Sequence, residues 1–453
     1  MSESAHFVAI IGGAVAGSEA AEKLARRGIR VAVFDQNNLP YGKIETGLPK
    51  WHVKLRDSQE KKIDEKLQHP LVRFVPGVRF GRDITLDQLR RDWGVSAILM
   101  ATGAWRDRPL PVPGIDEYLN KGLYYQNPFV AWFNQNHDPA YDGYKYSIPD
   151  NTLVIGGGLA SFDVVKIVMI ETTRQALMQR GIDANILEIE RKGISEILTE
   201  HNLRFEDLGI KGCTLVYRRK ITDMPLTSLP EDPTTHDMDT AARVRQKIFD
   251  NIQKKFIFRC LECHTPVSPI INNGNLNGLV FYRTEIIDGH LKVLKTVQIP
   301  IESPLVISAI GSLPESLKDI PMDGDTYRIK DHDSGSIEGL DDVFALGNAV
   351  TGRGNIKESQ LHGRKVSQKV VDEFLAWNPE DYQMIFNKAE ENADAKVFAV
   401  QKHLQKKARL STARIAKINS RIDALQKKVN YSNYNSWIAK HIPVRLENMI
   451  GDS

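Results

Sequence analysis

The sequence predicts an α/β fold made of two Rossmann-type domains and a helical C-terminal extension. Two stretches carry the α/β part: HFVAIIGGAVAGSEAAEKLARRGIRVAVFD and NTLVIGGGLASFDVVKIVMIE each run from an apolar strand through a glycine turn into a helix. A third observation carries the extension. From Arg364 to Ile450 there is no glycine, Lys and Arg are abundant, and apolar residues recur at helical spacing.

With 453 residues the chain exceeds one ordinary core, and roughly 100–200 residues per domain implies two or three domains. The formal net charge of +3, with 26% charged and 42% hydrophobic residues, is an ordinary globular balance that excludes a nucleic-acid-binding or disordered profile. Cys213, Cys260 and Cys263 are too few for a disulfide-stapled scaffold or for an iron–sulfur cluster of the chain's own. The opening MSESAHFVAIIGG enters a strand without a basic leader, and nowhere do eighteen apolar residues run together. A cytoplasmic protein without a membrane span is expected.

In the first βαβ unit, Gly12 permits the tight turn and Gly17 lets the helix pack closely on the strand. The free amides at the helix start, around Ala14 and Ala16, offer a pyrophosphate site. Asp35, eighteen residues after Gly17, ends the second strand where a carboxylate can take ribose hydroxyls. The fingerprint departs from G-x-G-x-x-G at its middle glycine, which is Ala14.

The second unit places Gly156 and Gly158 in the turn and Leu159 and Ala160 at the helix start. Two fingerprints about 140 residues apart are the arrangement expected of one flavin site and one nicotinamide site. Between them, SAILMATGAWRDRPLPVPGID runs from a strand through Gly103 into a Pro-rich link between domains. Beyond the second unit, the strand in KGCTLVYRRKITDMPL ends in Arg218, Arg219 and Lys220, with no acid for a 2′-hydroxyl. Two guanidinium forks there suit a 2′-phosphate, hence NADP, with NAD as the alternative and a solvated strand end as the plainer reading. Helical sequence such as ISEILTEHNLRFEDLG suggests an insertion between the helix and that strand.

Taken as an ordered set over roughly residues 7 to 375, these motifs resemble the two-dinucleotide flavoprotein reductases. The chain looks most like the adrenodoxin reductase-like ferredoxin–NADP reductases and is similar also to the small subunit of glutamate synthase. ATGAWRDRPLPVPG resembles the crossover from FAD domain to nicotinamide domain, and NPFVAWFNQNHDP resembles the family's F-V-x-W-Y-N-x-x-P-D stretch. GGGLASFDVVKI resembles its G-x-G-N-V-A-x-D-V-A-R-I helix start, with Leu159 in place of Asn.

The resemblance implies a glutathione reductase-like fold with a discontinuous FAD domain over 1–108 and 303–375, an NAD(P) domain over 109–302, and the extension over 376–453. VFALGNAVTGRGNIKESQLHG resembles the second FAD segment, which places Gly347, Asn348, Gly354, Asn355 and Ile356 around the flavin, the last three through backbone amides. Asn348 stands where relatives carry Asp or Trp. PYGKIETGLPKWHVKLR puts Lys43 against the FAD backbone and His52 at a family histidine, a surface histidine being the other reading. VRFVPGVRFGRDIT resembles the strand reaching adenine through the position of Phe80, which a core aromatic would match equally. In this family an Arg-Arg pair matching Arg218 and Arg219 holds the 2′-phosphate.

The implied activity is hydride exchange between a nicotinamide and FAD, and single-electron exchange between FAD and an iron–sulfur protein. Neither a catalytic side chain nor a metal is expected. Three alternatives stand beside it: the NAD(P)-reactive flavin subunit of a larger redox complex, a non-catalytic flavin-bearing scaffold, and a thioredoxin reductase-like enzyme using Cys260 and Cys263. Against the last, KFIFRCLECHTPVSPI reads as strand, on which positions 260 and 263 face opposite sides. The basic helices of the extension could dock an acidic electron-transfer protein, brace an assembly, lie on a membrane surface, or simply be solvated.

Overall fold

The computed structural model describes residues 6–227, 233–347 and 379–450. They fall into two compact units: one of residues 6–106, 312–347 and 379–450, the other of residues 107–227 and 233–311.

The first unit is built on a seven-stranded sheet. Its strands lie in the order Ile329–Asp331, Ser336–Ile337, Leu340–Ala345, Ala97–Met100, Phe7–Ile11, Arg30–Phe34 and Val72–Val75. The last five are mutually parallel, and the first two add antiparallel at one edge. All five residues of Phe7–Ile11 are buried because both faces of the sheet are covered, as parallel sheets require. Alternation sends Val8 and Ile10 into one core, with Leu24 of helix Val15–Ala25, and Phe7, Ala9 and Ile11 into the other.

The C-terminal extension is part of these two cores. Helix Pro379–Lys406 buries Ala393, Val397, Val400 and Leu404, a stripe at helical spacing, with the last three in the core of helix Val15–Ala25. Helix Thr412–Lys428 covers the opposite face with Ile418 and Ile422, and its Gln426 Nε2 donates to the Phe74 carbonyl at 2.7 Å. Helix Tyr434–His441 returns Tyr434, Trp437 and Ile438 to the first core. These named apolar residues of the extension are thus buried within the chain's own first unit.

The second unit has a five-stranded parallel sheet in the order Leu123–Tyr125, Val306–Ser308, Thr152–Ile155, Cys213–Val216 and Arg259–Leu261. Helix Leu159–Met178 follows the central strand, and the expected insertion is present as helices Ile186–Lys192 and Ile194–Glu200 before Cys213–Val216. Three long antiparallel strands, His264–Asn272, Asn275–Ile287 and His290–Glu302, form a separate meander. Both parallel sheets have the doubly wound Rossmann-type arrangement.

One local expectation is corrected. The stretch around Cys260 is not one strand: helix Thr235–Phe256 ends inside it, Arg259–Leu261 is a short strand, and the backbone turns at Cys263, whose φ is 56°. The opposite-faces argument, which needs continuous period-two geometry, therefore does not apply to positions 260 and 263.

Among the described residues no helix is long and apolar enough to cross a membrane.

Candidate functional site

In the first unit the glycines read from the sequence collect at the carboxyl ends of adjacent parallel strands, where ligands bind in open α/β sheets. Gly12 follows Phe7–Ile11 with φ 102°, and a Cβ there would lie 2.3 Å from the Ala101 carbonyl oxygen. A Cβ on Gly17 would lie 1.9 Å from the Gly12 carbonyl oxygen, so the helix can meet its strand only without a side chain there. Gly347, at the end of Leu340–Ala345, has φ 60°, and a Cβ on it would stand 3.2 Å from the Ala16 methyl. Residues read from opposite ends of the sequence thereby border one turn.

Ala14 caps helix Val15–Ala25 with extended backbone and no side-chain hydrogen bond, which leaves the first-turn amides without a capping side chain. Its methyl is tolerated because the facing residue is Gly42, whose Cβ would lie only 2.8 Å from it. Gly103 has φ 68°; a Cβ on it would lie 3.6 Å from the indole Nε1 of Trp105, and one on Gly42 3.9 Å from Trp105 Cζ2. Trp105 and Gly42 thus line the same place, and neither is singled out by sequence reasoning. The only signal for Trp105 was an aromatic two residues after the glycine of the ATG turn.

The remaining described site residues read from the sequence have defined surroundings. Asp35 is buried, and its two oxygens accept the backbone N–H groups of Gly13 at 2.8 Å and Asn37 at 2.9 Å. Burial pushes its carboxyl up to about 6 against the opposing pull of these amides. Lys43 Nζ donates to Ser312 Oγ at 2.9 Å. Phe80 is a buried member of the second core, and His52 is buried at the start of helix Val53–Leu67. Asn348, Gly354, Asn355 and Ile356 lie outside the described residues.

In the second unit the turn 156–158 repeats the design. A Cβ on Gly156 would lie 2.4 Å from the Ala309 carbonyl oxygen, and one on Gly157 would lie 2.2 Å from the Tyr217 ring. Gly158 is the cap of helix Leu159–Met178, so Leu159 and Ala160 form its first turn, and the cap carries no side-chain acceptor. Tyr217 therefore packs on the turn and leads directly into Arg218, which is exposed, and Arg219, which is half-buried. Among the described residues neither guanidinium is in an ion pair, and Arg219 Nε has no hydrogen-bond partner. Their backbone is fixed: Thr284 Oγ1 donates to the Arg218 carbonyl at 2.7 Å and the Cys263 amide to that of Arg219 at 3.1 Å. Arg245, which the sequence does not single out, reaches from helix Thr235–Phe256 to the Thr222 and Thr227 carbonyls at 3.0 and 3.1 Å and holds the loop that follows.

Residues 6–205 match the pyridine nucleotide-disulphide oxidoreductase family model. That segment is thus similar to this family, over somewhat less than half of the chain. The chain is 30% identical over 264 residues to the mitochondrial NADPH:adrenodoxin oxidoreductase of Arabidopsis thaliana, a match covering 54% of this chain and 51% of that protein. It is 32% identical over 128 residues to the glutamate synthase [NADPH] small chain of Mycobacterium tuberculosis, covering 28% and 25% of the two. It spans about half or less of the length of these curated relatives. Among solved structures, Mycobacterium tuberculosis FprA in complex with NADPH superposes with a TM-score of 0.66 over 93% of this chain and 91% of that one, at 17% identity. The resemblance to adrenodoxin reductases and glutamate synthase small chains is thereby shown, and the likeness to FprA is one of fold.

The family's name includes disulphide chemistry, which makes the thiols of interest. Cys260 and Cys263 are both free. Burial pushes the Cys260 thiol up to about 12, and burial together with Glu262 raises that of Cys263. A reactive thiol is a thiolate in electropositive surroundings, whereas burial here favours the neutral thiol.

Proposed function

We propose that the protein is an FAD-dependent NAD(P)H oxidoreductase that exchanges electrons with an iron–sulfur protein or subunit. The observation that carries this reading is the repetition, at the carboxyl end of each parallel sheet, of a cradle that a single Cβ would fill, followed by a helix start with no capping side chain. Such a helix start accepts a pyrophosphate through its free amides and its dipole. The relatives' names, which include an NADPH:adrenodoxin oxidoreductase and a probable ferredoxin/ferredoxin–NADP reductase of Mycobacterium leprae, support the pairing with an iron–sulfur partner.

In the first unit, the turn Gly12–Gly17, Gly103, Gly347 and Lys43 would hold FAD. Asp35 would act by fixing the turn through the Gly13 amide, since its oxygens already accept two backbone donors. In the second unit, the Gly156–Ala160 turn would hold the nicotinamide dinucleotide, and Arg218 and Arg219, unpaired among the described residues, would take a 2′-phosphate, favouring NADP over NAD. When bound, the flavin supplies the conversion between two-electron and one-electron steps, so the protein's own contribution is binding and orientation.

The test is an anaerobic titration of the purified protein with NADPH and, separately, NADH, following visible flavin absorption. Bleaching at lower NADPH than NADH concentration is expected. A bound flavin that neither nicotinamide bleaches would overturn the reading in favour of a scaffold.

A further inference from the structure

The segment 38–46 of the first unit carries Gly42 and Lys43, yet has little structure of its own. Its only helix, Lys43–Thr46, has four residues and no capping side chain, far too short to be stable alone. Three contacts from the C-terminal segment hold it. Trp437 Nε1 donates to the Asn38 carbonyl at 2.7 Å. Asp64 accepts from both Tyr434 and Tyr41, at 2.8 and 3.0 Å, and so links helix Tyr434–His441 to the residue preceding Gly42. Arg445 forks between Glu45 and Glu60, donating to one oxygen of each at 2.8 Å.

The last contact is the electrostatic one. Arg445, Glu45 and Glu60 have side chains only 11%, 10% and 12% exposed. Without Arg445, Glu45 and Glu60, one on helix Lys43–Thr46 and one on helix Val53–Leu67, would lose the donor they share in a poorly solvated place, and helix Lys43–Thr46 would be free to shift. The displaced segment is the one whose Gly42 faces Ala14 at the glycine turn.

We infer that residues 434–445 brace the 38–46 segment against the Ala14 turn, with Arg445 as the positioning residue for cofactor binding in this unit. The inference rests on the FAD reading above. It gives the extension a role in the site without requiring a partner.

The experiment compares full-length wild type, Arg445→Met, Arg445→Lys and, as a comparator, Arg73→Met. Arg73 ties helix Thr412–Lys428 to the sheet through Asp423 and Gln426, and its loss weakens the extension away from segment 38–46. FAD dissociation constants are measured by reconstitution of the deflavinated proteins, and amide hydrogen exchange is followed without FAD. The expected result is FAD binding weaker by about tenfold or more in Arg445→Met, largely restored in Arg445→Lys, and unchanged in Arg73→Met. Exchange should accelerate over residues 38–47 in Arg445→Met alone. Equal FAD affinity and equal exchange in Arg445→Met and wild type overturn the inference alone. A wild type that takes up no FAD overturns the reading on which it rests as well.

Discussion

The methyl carbon of Ala14 lies 2.8 Å from the point where a side chain on Gly42 would begin. The middle position of the first fingerprint can depart from glycine because the glycine is supplied across the turn. Gly42 also has φ 56°, which disfavours any other residue. Gly42→Ala should therefore cost about 1–3 kcal/mol, from overpacking plus left-handed strain, and weaken FAD retention. Adding Ala14→Gly should recover the steric part and leave the strain. Thermal unfolding of the single and double variants checks this; full recovery in the double variant would mean that strain at Gly42 contributes nothing.

Loss of the arginine pair should change cofactor choice without touching the flavin. Arg218→Ala with Arg219→Ala is expected to lower kcat/KM for NADPH by about 10–100-fold, the effect of losing charge-assisted hydrogen bonds worth ~1.5–3 kcal/mol, and to leave NADH nearly unaffected. Steady-state kinetics with both nucleotides is the measurement. Unchanged discrimination would remove these residues from the 2′-phosphate site.

The thiols should be dispensable. With Cys260 pushed up to about 12 and Cys263 also raised, Cys260→Ser with Cys263→Ser should retain flavin reduction and electron transfer within about twofold. Loss of turnover with an intact flavin spectrum would restore the disulfide-reductase alternative.

Glu60 should make stability fall as pH rises. Burial, with Glu45 adding to it and Arg445 and Arg56 opposing, pushes its carboxyl from 4.5 up to about 8. Between those values the folded protein holds a proton that the unfolded chain has released, so the favourable contribution is complete below 4.5 and is lost as pH rises through 8. Denaturant midpoints for wild type should decline over that window, and Glu60→Gln should flatten the decline. Identical pH profiles would show that Glu60 ionises normally.

The glycines were legible because their constraint is local. Gly12 and Gly17 each sit where a strand turns into a helix within a few residues, and the sequence spacing alone carries that geometry. Trp105, Tyr217 and Gly42 were not legible, since each matters through a residue brought to it by the fold: Trp105 through Gly103 and Gly42, Tyr217 through Gly157, Gly42 through Ala14. The continuous strand expected around Cys260 failed because helix Thr235–Phe256 runs into the stretch and a positive φ at Cys263 turns the backbone beyond the short strand Arg259–Leu261.

Two βαβ units, their glycine turns, the insertion before Cys213–Val216 and the helicity of the last segment were readable from the residues alone, because turns and amphipathic periodicity are encoded over short ranges. The packed fold is what turns Asp35 inward to the Gly13 amide and lays the basic extension over both faces of its own sheet. It alone places Arg445 between Glu45 and Glu60. These are contacts between residues far apart in the chain, and they exist only once hydrophobic burial has closed the loops between them.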